Sequence, residues 1–182
     1  MKTESNVAYI ARLAVTLLLI TAVVAAALAG INAITAPKIQ TLNVQKTQQA
    51  IEMVLPGGGE EIAFTDDTGL VSTVYKGQSG YAVEVTPSGF NGTVTMMVGV
   101  DTSGKVLGIS IVNHTETAGL GAVAAANTTA GNAFRSQFSG MGGSVSVKKD
   151  GGAVDALTGA TITSRAVCTG VNAALSAVAK LG

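Results

Sequence analysis

Tryptophan is absent from this sequence of 182 residues, and cysteine and histidine occur once each, as Cys168 and His114. A lone cysteine rules out an internal disulfide and argues against an iron–sulfur cluster, which needs several thiolates; a lone histidine rules out a two-histidine metal site. The five methionines show no spacing that suggests copper. Charge is scarce as well. Eleven basic side chains balance 11 acidic ones, so nothing electrostatic draws the chain to nucleic acid, and an aromatic content of 4% gives no stacking surface for bases. No GxGxxG turn follows a strand-like run, so no nicotinamide site of its own is expected.

What the chain does have is one long apolar run. Between Arg12 and Lys38 lie 25 residues without a formal charge; as a helix they would extend about 37 Å, against a hydrocarbon core about 30 Å thick. Small residues before Gly30 ("ALA") resemble a signal-peptidase site, but the run exceeds the usual apolar core of a cleaved signal, which favours a retained anchor. Lys2 and Arg12 precede the span and Lys38 and Lys46 follow it, so charge hardly biases its orientation; the short tail favours an inside N-terminus and export of the remainder. Small residues at Ala22, Ala25, Ala26, Ala29 and Gly30 suit close helix packing in a membrane complex and are equally ordinary in an anchor.

Beyond the span, the organisation reads as tail (1–12), transmembrane helix (13–37), polar stalk helix and linker stopped by "PGGG" (38–60), and an exported domain (61–182). In the domain, "LVSTVYKG", "GYAVEVTP", "GTVTMMVGVD" and "KVLGISIVN" are β-branched alternating runs separated by glycine-rich turns, an antiparallel meander. A helix is expected over at least Asn132 to Phe138, a further strand over Ser144 to Lys148, and a closing helix from about Ser164 to Lys180 with Val167, Val171, Leu175 and Val178 on its apolar stripe. Sheet followed by helices makes the fold class α+β.

The stretch that joins the last expected strand to the closing helix is "DALTGATITSRAV", Asp155 to Val167. Thr161 lies just before a helix whose expected cap is Thr163 or Ser164, where free N–H groups and the helix dipole favour an anion such as phosphate. Gly159 and Ala160 leave its hydroxyl room for a ligand or for reaction at phosphorus. On the residues alone, an ordinary turn at a helix entry is the plainer reading.

"DALTGAT" resembles the Asp-x-x-Ser/Thr-Gly-Ala-Thr signal read by extracytoplasmic flavin transferases, and "TGATITSRAV" is similar to the corresponding segment of the G subunits of Rnf complexes. A second motif, "HTETAGLG" from His114 to Gly121, resembles the Glu-Thr-Pro-Gly-x-Gly loop of the same FMN-binding domain, with Ala118 in place of proline. The resemblance extends over nearly the whole chain, from the span to the closing helix. It implies an electron-carrying subunit of a membrane complex that couples ferredoxin:NAD electron transfer to ion translocation. It also implies FMN joined to Thr161 through a phosphoester by a transferase, with electrons passing to and from partner subunits. Thr158, Gly159, Ala160 and Thr163 are then expected around the attachment point, and Glu116, Thr117, Gly119, Leu120 and Gly121 beside the flavin, with Thr117 and Leu120 as its contacts. Asp155 belongs to the transferase signal.

Plainer readings stand beside these. His114 is expected to hydrogen-bond at a strand end, Cys168 to be a small buried hydrophobe and Glu116 to be either a solvated charge or a flavin neighbour; Lys148 and Lys149 could neutralise the FMN phosphate, but adjacent lysines at a strand end are usually just exposed, and they are left outside the site. Competing functions are the C subunit of a sodium-pumping NADH:quinone reductase, which shares the domain, a cofactor-free membrane-anchored module, and a pilin-like protein, the last without the processing signal it would need.

Overall fold

The computed structural model describes residues 6–181, and its elements follow the expected α+β order. The chain divides into two compact units at Val44. The first is helical throughout its described length: α1 runs Asn6–Val54, with a mean hydropathy of 2.5 in its most apolar window and none of that window buried, so it is long and apolar enough to cross a bilayer. The expected span and stalk are one helix. Pro37 lies inside it without ending it, and the backbone donor that would reach the Ala33 carbonyl is missing there. The Thr41 hydroxyl donates to the Pro37 carbonyl at 3.0 Å.

The second unit begins with the last turns of α1 and is built on a five-stranded antiparallel sheet in sequential order, β1 (Glu60–Ile62), β2 (Val71–Lys76), β3 (Gly80–Val85), β4 (Thr95–Asp101) and β5 (Val106–Asn113). The meander is the expected one, with the short β1 added at its edge. Tyr81 pairs with Val100 and Val83 with Val98, which puts Tyr81, Val83, Val85, Met96, Val98 and Val100 on one face. Against that face packs α3 (Thr161–Leu181), through Val167, Val171, Ala174, Leu175 and Val178 at three- and four-residue spacing. Ala82 and Met97 point to the other face and meet Ala50, Ile51, Val54 and Leu55 at the end of α1. A central strand covered on both sides is apolar on both sides, which is why β4 reads as a nearly continuous hydrophobic run.

Between β5 and α3 lie a 3-10 turn (Gly121–Ala124), α2 (Thr129–Ser136) and a second 3-10 turn (Lys148–Asp150). Helix α2 starts before the expected Asn132 because Thr128 caps it, its hydroxyl accepting from the Gly131 N–H at 3.2 Å. Phe134 and Phe138 meet edge to face, centroids 5.4 Å apart, and seal this end of the core. The strand expected over Ser144 to Lys148 is absent; only Val147 forms a bridge, to Val154. Its extended look is satisfied otherwise. The Asn172 side chain accepts from the Val145 N–H and donates to the Val145 carbonyl, both at 2.8 Å, taking the place of a strand partner. Finally, α3 begins at Thr161, one turn earlier than Ser164.

The end of α1 meets the sheet most tightly at Gly99, where a Cβ would lie 2.2 Å from the Val54 carbonyl oxygen. Gly99→Ala therefore forces the helix end off β4 and is expected to destabilise the domain by about 1–3 kcal/mol, measured as a lower denaturation midpoint by circular dichroism. An unchanged midpoint would show that this contact does not constrain the fold.

Candidate functional site

Three segments meet at the N-terminus of α3. The first is the Pro87–Val94 connection, closed on itself by hydrogen bonds from Gly89 N–H to the Gly92 carbonyl (2.7 Å) and from Val94 N–H to the Pro87 carbonyl (2.9 Å). The second, His114–Gly121, is laced to it: Asn91 Nδ2 donates to the Thr115 carbonyl (2.7 Å) and Thr115 Oγ1 to the Asn91 carbonyl (2.5 Å). His114 follows the last residue of β5 as a hydrogen-bonding residue, its Nδ1 accepting from Glu116 N–H at 3.2 Å. The turn that follows closes without proline. Gly119 adopts φ +77°, a conformation that costs glycine little, and Leu120 and Ala122 N–H both reach the Thr117 carbonyl at 3.2 Å.

Glu116 joins all three segments. It is 8% exposed; one carboxylate oxygen accepts from Asn91 N–H at 3.0 Å and the other from the Thr163 hydroxyl in the first turn of α3. Two glycines make room for it, since a Cβ on Gly89 or Gly121 would run into one or other of its oxygens. Glu116 is thus a buried group rather than a solvated charge, and each of its oxygens accepts one hydrogen bond from the protein.

The third segment is the turn into α3. Gly159 adopts φ +73°, Ala160 N–H donates to the Leu157 carbonyl (3.0 Å), and Ala160 stands at the cap position, its carbonyl accepting from Ser164 N–H (3.0 Å). Alanine offers no capping side chain, so the first-turn amides of α3 are left to other partners. Ser164 instead braces the turn from inside, donating to the Ala160 carbonyl (2.9 Å) and accepting from Leu157 N–H (3.0 Å). Of the hydroxyls in this first turn, those of Thr163 and Ser164 are spent on structure. Among the described residues, none engages that of Thr161, which is half-buried.

These segments enclose a cavity of about 340 Å³ lined by Phe90, Glu116, Thr117, Leu120, Gly121, Lys149, Gly159, Ala160, Thr161, Ile162 and Thr163. That volume is within the range of small-molecule sites, roughly 300–1,000 Å³. Gly119 and Thr158 line an adjoining groove of about 550 Å³ on the far side of Leu120. Leu120 also covers Gly159, where a Cβ would come within 3.0 Å of its Cδ2.

Two lining residues were beyond sequence reasoning. Phe90 (63% exposed) and Ile162 (49%) form an apolar rim with Leu120 (44%). Lys149 supplies the one cationic side chain of the lining. Its neighbours are committed elsewhere: Lys148 Nζ pairs with Asp155 at 2.7 Å, and Asp150 accepts two hydrogen bonds from Arg165 at 2.7 Å, which hold the Asp150 carboxyl below its usual range. In the sequence, "KKD" offers no signal that separates the two lysines. Cys168 takes no part, since burial pushes its thiol up to about 11 and it packs in the core.

The residues fit a flavin mononucleotide. An anionic phosphate suits unspent first-turn amides and a lysine, and an apolar ring system suits the rim of Phe90, Leu120 and Ile162.

Comparison with known proteins defines the class. Residues 89–176 match the family model of the FMN-binding domain, which covers both loops, the cavity and most of α3. Over longer stretches the chain is 34% identical to the G subunit of the Na(+)-translocating ferredoxin:NAD(+) oxidoreductase complex of Acetobacterium woodii, covering 88% of this chain and 87% of the relative. It is 31% identical to the G subunit of the ion-translocating oxidoreductase complex of Methanosarcina acetivorans, covering 93% and 94%. The chain belongs to the G-subunit family of Rnf-type ion-translocating oxidoreductase complexes.

The Glu116 cluster makes a direct prediction. Thr163→Val keeps the shape but leaves one oxygen of a buried carboxylate without its donor, and is expected to cost about 1–3 kcal/mol. Thr163→Ser, which restores the hydroxyl, should recover most of it. Chemical denaturation of the two variants decides; equal midpoints for valine and threonine would mean that the hydrogen bond contributes nothing.

Proposed function

We propose that this protein is the flavin-bearing electron carrier of an Rnf-type complex, with FMN attached through its phosphate to the Thr161 oxygen. The observation that carries the reading is the free Thr161 hydroxyl at the first turn of α3, in a cavity that also holds Lys149 and an apolar rim. When bound, FMN supplies the one- and two-electron redox chemistry. The chain's residues do the holding: α3 amides and the Lys149 ammonium face the phosphate, and Phe90, Leu120 and Ile162 shelter the ring. Thr117 offers a polar contact from the same loop.

Making the ester from free FMN would require expelling water into water, so the donor is a flavin pyrophosphate, FAD, and a transferase catalyses the exchange. The Thr161 oxygen forms a bond to the flavin-side phosphorus, the bond from that phosphorus to the bridging oxygen breaks, and AMP leaves with the electron pair. The hydroxyl proton passes to the transferase. Electrons then arrive from and leave to other subunits of the complex. Helix α1 anchors the chain, and the domain lies outside the cytoplasmic membrane with the N-terminus inside. One relative is named for sodium translocation and another, from Clostridium ljungdahlii and 40% identical over 54% of this chain, for proton translocation, so the coupling ion is set outside what these G subunits share.

Thr161→Ala is expected to give a folded, colourless protein even with the transferase present, while Thr158→Ser is still loaded. Mass spectrometry reads the outcome, and an FMN mass on the Thr161→Ala chain would overturn the attachment. Orientation is tested separately with Cys168→Ser as background. A cysteine introduced at exposed Ser79, in the β2–β3 turn, should react with a membrane-impermeant thiol reagent in intact cells, and one at Ser5 should not. The reverse pattern would put the domain in the cytoplasm.

A further inference from the structure

Side chains of the segment that precedes Thr161 are largely open to solvent, with Asp155, Thr158 and Gly159 all exposed. Its backbone is held by hydrogen bonds from elsewhere in the domain. Gln137, in the turn after α2, clasps Asp155 with both ends of its amide: Oε1 accepts from the Asp155 N–H at 2.7 Å and Nε2 donates to the Asp155 carbonyl at 3.2 Å. One side chain thereby does for Asp155 what a paired strand would do. Lys148 holds the Asp155 carboxylate at 2.7 Å while leaving 66% of that side chain accessible. Farther along, Ser164 fixes Leu157 and Ala160, as described above. Gln137, Asp155, Leu157 and Thr158 all face the groove of about 550 Å³ that Leu120 separates from the Thr161 cavity.

A threonine offered to an enzyme on an extended chain would need no such hold, and a turn that served only the core would not leave its acid exposed. We propose that Gln137 is a positioning residue for flavin loading: by clasping the Asp155 backbone it presents Asp155 and the Thr161 hydroxyl in fixed relation, and the transferase reads that folded surface. The proposal rests on the reading that Thr161 receives the flavin. In the transfer, the Thr161 oxygen gains the flavin-side phosphorus of FAD, AMP departs, and the proton goes to the transferase; Gln137 touches none of these atoms. It acts through Asp155, by removing the orientational freedom that a flexible acceptor would have to lose on meeting the enzyme.

The test uses the full-length chain in detergent, purified flavin-free, with purified transferase at limiting concentration and FAD, followed by in-gel flavin fluorescence. Gln137→Leu removes both hydrogen bonds at similar volume and is expected to load roughly tenfold more slowly, the scale set by two ordinary hydrogen bonds. Given time it should reach wild-type occupancy with an unchanged flavin spectrum. Gln137→Glu keeps the acceptor for the Asp155 N–H and should fall between. Gly99→Ala, destabilised with the clasp intact, should load at the wild-type rate; if it slows as much as Gln137→Leu, stability sets the rate and the proposal fails. A wild-type rate for Gln137→Leu also overturns it. Thr161→Ala separates the two levels, since flavin on that chain sinks the attachment reading, whereas a blank there with equal rates elsewhere sinks only the role of Gln137.

Discussion

The site depends on one buried carboxylate. Glu116 sits where the Pro87–Val94 connection, the loop after β5 and the first turn of α3 converge, and it hydrogen-bonds to the other two. A carboxylate that is 8% exposed is costly to bury unless its oxygens are satisfied, and here each has a donor fixed by its own segment. The three walls are therefore not free to drift apart. Any loosening leaves an acceptor unmet, and the penalty falls on the position of Phe90 on one side and of Thr161 on the other. Gly89 and Gly121 are part of the same arrangement, because a side chain at either would occupy the space the carboxylate needs.

The fold supplies the frame that makes so small a cluster sufficient. Covering the sheet with α3 on one face and the end of α1 on the other buries β4 almost completely and leaves α3 no freedom to slide. Its N-terminus is then held at the level of the β5 exit, which is where the loop carrying Glu116 begins. Gly170 contributes here, since a Cβ at that position would lie 3.0 Å from both Val85 Cγ2 and Met96 Sδ, a contact tight enough that those side chains would have to give way. Core packing thus sets the separation of the walls, and the buried carboxylate locks their register.

Much of this was legible in the sequence, for physical reasons. Strands of alternating β-branched residues between glycine turns give a clear period of two, and the closing helix gives a clear stripe, so the meander and α3 were readable. The two motifs stood out through their resemblance to the FMN-binding domain; by their residues alone they read as a loop and an ordinary helix entry. What could not be read was tertiary. The extended run at Ser144 to Lys148 has strand chemistry, but its partner is the Asn172 side chain, 27 residues on from Val145. Lys149 and Phe90 look like ordinary surface residues until the folded chain turns them toward Thr161. The capping pattern misled as well: Thr163 and Ser164 are good cap residues, yet the Thr163 hydroxyl is spent on the distant Glu116 and that of Ser164 on bracing the preceding turn, and the helix starts earlier, after a bare alanine.

That bare cap bears on why a covalent bond suits this cavity. A side chain at the cap would satisfy the amides that an incoming phosphate needs, and a deeper pocket would shelter the ring better than a rim of three partly exposed apolar residues does. Noncovalent affinity comes from buried area and unspent hydrogen bonds, and at about 340 Å³ this site is near the small end of its range. An electron carrier has an opposing need, because a ring enclosed on all sides is far from its partners. On the proposed reading the ester resolves the conflict. Tethering makes occupancy independent of affinity and raises the local concentration of the group at its own site. The cavity would then need no deeper enclosure than the partly exposed rim of Phe90, Leu120 and Ile162 gives.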